Sequence, residues 1–342
     1  MDRALIFRFF NKKLLHGTSE NQMLKNDLEA IATSHNLCAK CGCKTEFFLN
    51  GLFDSRFGIE GTYDIALCPN CSLEQIVPFP TSAELKYLYE NYYNFNGEKN
   101  TVYTRLRQHF FNSSLYHLWL TMDGDISFHT LKGSGRLLDI GCNEGRNLNL
   151  YSQNGFEAEG LELNKIAAAV AQAQGFTVHS QLLEEFQPKT FYNVAILSNV
   201  LEHSLDPKGM LFHVYRILKT DGQVYISCPN SRSWLRFLFG RYWINWHVPF
   251  HIVHFSSSTL AQLLKDIGFE NIQIQQRTPA LWVAHSIIAR LFAKPGQPTR
   301  QLRSPILVAF LILAIRGLLF PLLWLGNLTG KGDCLVVTAY KA

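Results

Sequence analysis

The sequence predicts an α/β fold, a doubly wound and mostly parallel sheet with helices on both faces. Three observations carry this expectation. Residues 137–140 read as a short buried strand that runs through a glycine-containing turn, Gly141 to Gly145, into a helix opening at Arg146. Residues 158–163 read as a second strand, ending in Glu162. Downstream, apolar runs at 175–179, 192–198, 224–230 and 268–274 alternate with helical patterns at 166–173, 211–218 and 256–267. Strands alternating with helices build βαβ units.

The opening turn sets the chemistry. A strand that enters a helix through a tight turn presents backbone N–H groups and a positive helix end at the sheet's C-terminal edge. Asp139 stands before the first glycine, and the spacing is Gly141-x-x-x-Gly145, not the G-x-G-x-x-G of dinucleotide sites. A carboxylate there repels a pyrophosphate and suits a cationic ligand. Glu162 is placed to accept both hydroxyls of a ribose.

On these residues the chain resembles the class I S-adenosylmethionine-dependent methyltransferases, whose pattern is strand, D-x-G-C-G-x-G, helix, strand, acid. Asp139, Gly141, Cys142, Gly145 and Glu162 match it. Asn143 departs where the family has Gly, and Asn is the residue after Gly that best tolerates a left-handed backbone. The resemblance implies a Rossmann-like seven-stranded sheet with an antiparallel last strand, residues 333–340 pairing with 268–274. It implies that Asp139, Gly141, Asn143, Gly145, Glu162 and Asn199 hold S-adenosylmethionine. Gln181 and Leu182 fall where the family places an adenine-binding acid. Tyr192-Asn193 departs from the usual Phe-Asp. A helix over 211–218 is expected to end in a Gly222 turn.

The chain has 342 residues, eight cysteines and a formal net charge of +5. That length suggests two or three units. Four cysteines fall in two C-x-x-C pairs, Cys38/Cys41 and Cys68/Cys71, which suit a structural Zn²⁺ ribbon in a reducing compartment better than disulfides. The strand-like runs 46–49 and 62–67 lie between the pairs, and Cys43 is a spare thiol. Acidic side chains slightly outnumber basic ones in this unit, which argues against nucleic acid as a partner. The first ten residues lack a long apolar core and cleavage site, so a cytoplasmic location is expected.

His247, His251 and His254 precede the helix beginning near Ser256. Methyl transfer needs donor and acceptor aligned, water excluded and a proton removed. A histidine is the natural base, so His203, His251 and His254 are the candidate catalytic residues. No carboxylate joins the late histidines at metal-ligand spacing in sequence, and local hydrogen bonding is the competing role for each.

Between the last two strands lie two apolar runs, 280–289 and 305–325, and from Asn271 to Gly332 there are basic but no acidic residues. Basic, tryptophan-containing apolar helices lie at membrane interfaces. The flanking strands belong to one sheet, so the insertion must leave and return on the same side, as a hairpin or an interfacial cap. A helical cap buried in the protein or a dimer is the alternative.

The expected organisation is thus a helical segment at 1–36, a zinc-ribbon-like unit at 37–80, linker helices at 81–130, a methyltransferase domain at 131–278 and 332–342, and a hydrophobic helical insertion at 279–331. The predicted protein is a methyltransferase, peripheral or monotopic at the cytoplasmic face of a membrane through residues 280–328. Its acceptor is a small molecule, a sugar or a lipid-linked compound. Two alternatives are a non-catalytic zinc adaptor at a membrane and an NAD-dependent oxidoreductase, which the glycine spacing opposes.

Overall fold

The computed structural model describes residues 37–92, 110 and 113–342. The expected N-terminal helical segment lies outside them, as do residues 93–109 and 111–112 of the expected linker helices. Two sheets organise the rest. The larger is built from β4 (Gly135–Ile140), β5 (Phe156–Leu161), β6 (Thr177–His179), β7 (Tyr192–Ser198), β8 (Leu218–Pro229), β10 (Phe269–Arg277) and β11 (Cys334–Lys341). Its order is β10-β11-β8-β7-β4-β5-β6. Contacts β7/β4/β5/β6 and β7/β8 are parallel, and β11 runs antiparallel to both of its neighbours. This is the seven-stranded sheet with an antiparallel last strand that the sequence predicts.

The central strands are apolar because both faces are covered. Leu137 and Leu138 in β4 and Ala195 to Leu197 in β7 are fully buried, as parallel strands between helical layers must be. The helices are α3 (Arg146–Gln153), α4 (Lys165–Ala173), α5 (Pro207–Ile217) and α7 (Ser257–Ile267). Side-chain caps start three of them: Asn164 for α4, Asp206 for α5 and Ser256 for α7.

One expected boundary is corrected. Helix α5 stops at Ile217, not in a Gly222 turn, because Leu218 already pairs with Tyr192 of β7. The left-handed residue is Asp221, at φ +60°, inside a bulge of β8.

The smaller sheet has the order β1-β2-β3-β9, with β1 (Glu46–Leu52), β2 (Tyr63–Leu67), β3 (Glu74–Val77) and β9 (Val253–His254). The sequence anticipates β1 and β2 but neither β3 nor β9. Its fourth strand comes from the other end of the chain, so Gln75 pairs with Val253 and Glu74 with His254. Ile65, Leu73 and Ile76 of this unit share one core with Val248, Phe255 and Leu260. A buried ion pair reinforces the junction. Arg236 Nη1 lies 2.8 Å from Glu74 Oε2, and its guanidinium stacks over the Trp246 ring. Helix α1 (Ser82–Tyr92) follows the smaller sheet, with Thr81 and Glu84 closing a reciprocal capping box.

Helix α2 (Ser114–Asp123) leads to the larger sheet, and α6 (Trp234–Phe239) follows β8. The insertion between β10 and β11 is helical, as expected: α8 (Ala280–Phe292) and α9 (Pro305–Leu328). Helix α8 is buried along Ala280, Val283, Ala284 and Ile288. Helix α9 touches the protein along a narrow stripe, with Ile315, Arg316, Leu323 and Gly326 buried. Arg316, a basic residue within the apolar run 305–325, is anchored. It donates to the Asp123 carboxylate at the end of α2 (Nε 2.6 Å) and to the Thr278 carbonyl (2.6 Å).

Removing one partner of a desolvated ion pair leaves a buried charge uncompensated. Arg236→Ala is therefore expected to lower unfolding free energy by about 3–5 kcal/mol in urea titration. The double variant Glu74→Leu/Arg236→Met should recover most of that loss.

Candidate active site

The turn after β4 is shaped by steric necessity. Gly141 adopts φ +74°, and a Cβ there would stand 2.8 Å from Val200 Cγ2. Any larger residue would push the β7 exit away from the turn. Asn143 takes φ +50°, the left-handed conformation that its departure from Gly requires. The Gly141 amide donates to Leu161 O (2.7 Å), which locks the turn against the end of β5.

Asp139, Gly141, Asn143, Gly145 and Glu162 converge here. Glu162 accepts from the Asn143 amide (3.0 Å) and the Asn164 amide (2.7 Å). Burial raises its pKa, and these backbone donors oppose the rise. Asp139 is 2% exposed, and its Oδ2 has no hydrogen-bond partner among the described residues. Burial, with the Glu162 charge added, pushes its pKa up to about 8. A buried carboxylate oxygen without a donor is costly, and a cationic ligand relieves it. The residues therefore fit S-adenosylmethionine, whose amino and sulfonium groups are positive.

Asn199 leaves β7 with φ +55°, its amide bound to Ser227 O (2.9 Å). It is the residue before Val200, which packs on Gly141, so the β7 exit and the glycine turn form one edge. Gln181 and Leu182 lie past the end of β6. Leu182 is 45% exposed, and neither residue hydrogen-bonds the Asp139 turn among the described residues.

The histidines form a second cluster on the same sheet edge. Rings of His203 and His251 meet at 4.7 Å, and those of His247 and His251 at 4.8 Å. His254 sits on β9 against Trp246, 1% exposed, with no hydrogen-bond partner on either ring nitrogen among the described residues. Burial is the main cause of every shift here. It drives His203 down to about 4, His254 down to about 3, and His247 and His251 well below the usual range. All four are neutral at pH 7, with basic lone pairs but weak proton affinity.

The sequence reading that no carboxylate joins these histidines is corrected in space. Glu202, to which the sequence alone assigns no role, is 1% exposed, and His251 Nε2 lies 3.9 Å from its Oε1. One donor atom from each of Glu202, His203 and His251 falls within 4.8 Å of the others. The available signal was an acid beside His203, in a stretch otherwise apolar enough to be buried. Tyr89 of α1 also reaches this site, with its hydroxyl 3.0 Å from His203 Nδ1.

The cysteine pairs meet as expected. Sγ atoms of Cys38 and Cys71 are 3.4 Å apart, and those of Cys41 and Cys68 are 3.5 Å apart. All four lie within 4.8 Å of one another. Thiolates tetrahedrally bound to one Zn²⁺ are separated by roughly 3.8 Å, so the donor set fits such an ion. Cys43 contributes its carbonyl to the Cys38 amide (2.8 Å) and stays outside the cluster.

Residues 121–274 match the family model described as a methyltransferase domain. The match, the sheet order and the Asp139 turn together mark this part of the chain as an S-adenosylmethionine-dependent methyltransferase domain. The match begins after both cysteine pairs. Among curated proteins, the chain is similar to a ubiquinone biosynthesis O-methyltransferase of Pseudomonas entomophila, 30% identical over 28% of this chain and 44% of that protein. It is also similar to a probable S-adenosylmethionine-dependent methyltransferase of Mycolicibacterium smegmatis, 28% identical over 39% of this chain and 51% of that one. The chain thus spans about half the length of these curated relatives. Among solved structures, a SAM-dependent methyltransferase from Archaeoglobus fulgidus is 22% identical, covering 70% of this chain and 100% of that one at a TM-score of 0.43.

The Asp139 carboxyl gives a pH signature. Folded, it keeps its proton up to about pH 8, whereas unfolded it loses it near 4. The folded state therefore binds more protons between these limits, and the contribution to stability is lost as pH rises through them. Asp139→Asn is expected to remove that part of the slope in melting temperature between pH 5 and 8. It should also weaken S-adenosylmethionine binding at least tenfold by calorimetry.

Proposed function

We propose that the protein transfers a methyl group from S-adenosylmethionine to a small-molecule acceptor presented at a membrane surface, a lipid-linked saccharide or a quinone precursor. The observation that carries the methyltransferase reading is the buried, unpartnered Asp139 oxygen at a glycine turn that excludes side chains. S-adenosylmethionine would be held by Asp139, Gly141, Asn143, Glu162 and Asn199, and supplies an electrophilic methyl on a positive sulfur. The protein's own part is to orient both reactants, exclude water and take the acceptor's proton. His203, in reach of Tyr89 and beside His251, is our candidate base; its depressed proton affinity suits an acceptor whose hydroxyl is itself acidic. The names of the quinone-pathway relatives favour such an acceptor.

The membrane reading rests on α9. At 24 residues it is long and apolar enough to cross a membrane by length and composition, and it spans about 36 Å. Ile306, Phe310, Leu313, Leu318, Leu322 and Trp324 are exposed along it. Adjoining α6, whose Trp234 ring lies against Gly326, adds exposed Phe237 and Leu238. Exposed Arg300 and Arg303 precede α9, and exposed Lys331 follows it. Contiguous apolar surface of this kind marks an interaction face, and terminal cations favour anionic headgroups. Because Arg316 ties the middle of α9 to Asp123, the helix lies along the protein, which fits an interfacial helix better than a span. We further propose that the four cysteines hold a structural Zn²⁺.

Calorimetric titration should show binding of S-adenosylmethionine and S-adenosylhomocysteine but not NAD; absence of sulfur-ligand binding would overturn the enzyme reading. In flotation with anionic vesicles, the wild-type protein should rise with the lipid. Leu318→Glu/Leu322→Glu should stay at the bottom while still binding S-adenosylmethionine, and equal flotation of the two proteins would refute the role of α9. Elemental analysis should find one equivalent of zinc fewer in Cys41→Ser.

A further inference from the structure

We propose that Glu202, His203 and His251 form a binding site for a divalent first-row transition metal, separate from the four cysteines, at the C-terminal edge of the larger sheet. Geometry comes first. The three donors lie within 4.8 Å of one another. Donors bound to one ion sit roughly 3.3 Å apart, a gap that small side-chain rotations close.

The hydrogen bonding of the two rings has the pattern a metal requires. His251 Nδ1 is 2.8 Å from Asn245 O, and His203 Nδ1 is 3.0 Å from Phe250 O. A carbonyl only accepts, so each ring carries its proton on Nδ1 and keeps its lone pair on Nε2. Backbone carbonyls that hold a metal-ligating histidine through its other nitrogen are the usual support for such ligands. The same loop that supplies these carbonyls is itself held by the Glu202 main chain, whose carbonyl accepts from the Ile252 amide (2.8 Å).

The carboxylate makes the case for a cation. Both oxygens of Glu202 are buried without a hydrogen-bond partner among the described residues. His251 Nε2, at 3.9 Å, is too far for a hydrogen bond. Two imidazoles offering lone pairs give the ionised carboxylate no donor, so the buried site either keeps the acid protonated or takes a cation. A divalent cation satisfies every one of them. Two imidazole nitrogens and one carboxylate suit zinc, iron(II), manganese or cobalt, and three protein ligands leave positions open, as in catalytic metal sites. If the proposed methyl transfer holds, those open positions would take oxygen atoms of the acceptor, whose hydroxyl the metal would acidify; with the ion bound, His203 would act as a ligand and not as the base, and the acidified hydroxyl would lose its proton to solvent.

Binding of Co²⁺ to the full-length, detergent-purified protein tests the site without donor, acceptor or turnover. Cobalt held by nitrogen and oxygen gives weak visible bands, whereas cobalt held by thiolates adds intense near-ultraviolet charge transfer, so the cysteine cluster cannot be mistaken for this site. About one equivalent of Co²⁺ should bind with the nitrogen–oxygen spectrum. Affinity should fall at least tenfold in Glu202→Gln and in His251→Gln, and stay unchanged in His213→Gln, a half-buried histidine outside the cluster. Glu202→Gln keeps the size of a buried, unpartnered polar group and should melt no lower than wild type, which separates lost binding from lost folding. The proposal is overturned if wild-type protein shows no nitrogen–oxygen cobalt spectrum, or if that spectrum survives both substitutions. Neither result depends on whether S-adenosylmethionine binds.

Discussion

Strand β11 must occupy the slot between β8 and β10, and much of the molecule is arranged to let it. Everything from Thr278 to Gly332 has to depart and return at one end of the same sheet. The seal on this return is Asp333. Fully buried, it accepts from Ser233 Oγ (2.5 Å), Trp243 Nε1 (2.8 Å) and Asn245 Nδ2 (3.1 Å). These hydrogen bonds hold burial-raised Asp333, with a pKa pushed up to about 6, within reach of its charged form. They also fix the loop that follows β8 above the sheet's C-terminal edge, where ligands bind in this class of sheet.

The loop so fixed does two jobs. Its first part carries Asn245, whose carbonyl orients His251, and its last part becomes β9, the fourth strand of the cysteine-bearing sheet. The ribbon-like unit is therefore a wall of the site. Tyr89, Phe57 and Phe250 meet there as edge-packed rings, Phe57–Phe250 at 5.5 Å and Tyr89–Phe250 at 5.4 Å. The strands that flank the second cysteine pair also support the histidine loop, so the cysteine and histidine clusters are linked through β3 and β9.

The insertion obeys the same logic. A polar anchor, Arg316 with Asp123, fixes an otherwise apolar helix by one narrow stripe and leaves the remainder facing outward. Burying a guanidinium is costly unless it is paired and hydrogen-bonded, and here the Asp123 carboxylate and the Thr278 carbonyl supply both. Helix α9 is thus held flush against the domain, close to the strand ends that build the sheet edge.

Local pattern sufficed for the methyltransferase sheet, the Asp139 turn, the two cysteine pairs and the apolar insertion, because each is governed by spacing along the chain. Alternating periodicity marks strands and helices, a left-handed turn demands Gly or Asn at stated positions, and a C-x-x-C knuckle is closed by its own backbone. Long-range pairing was not legible. Strand β9 is two residues whose partner, β3, lies far away in sequence, and neither is marked by its own composition. Glu202 is an unremarkable acid until the fold removes it from water and sets His251 opposite. Only tertiary structure decided which histidines share a carboxylate, because that depends on where Asp333 pins a distant loop and not on any spacing the chain displays.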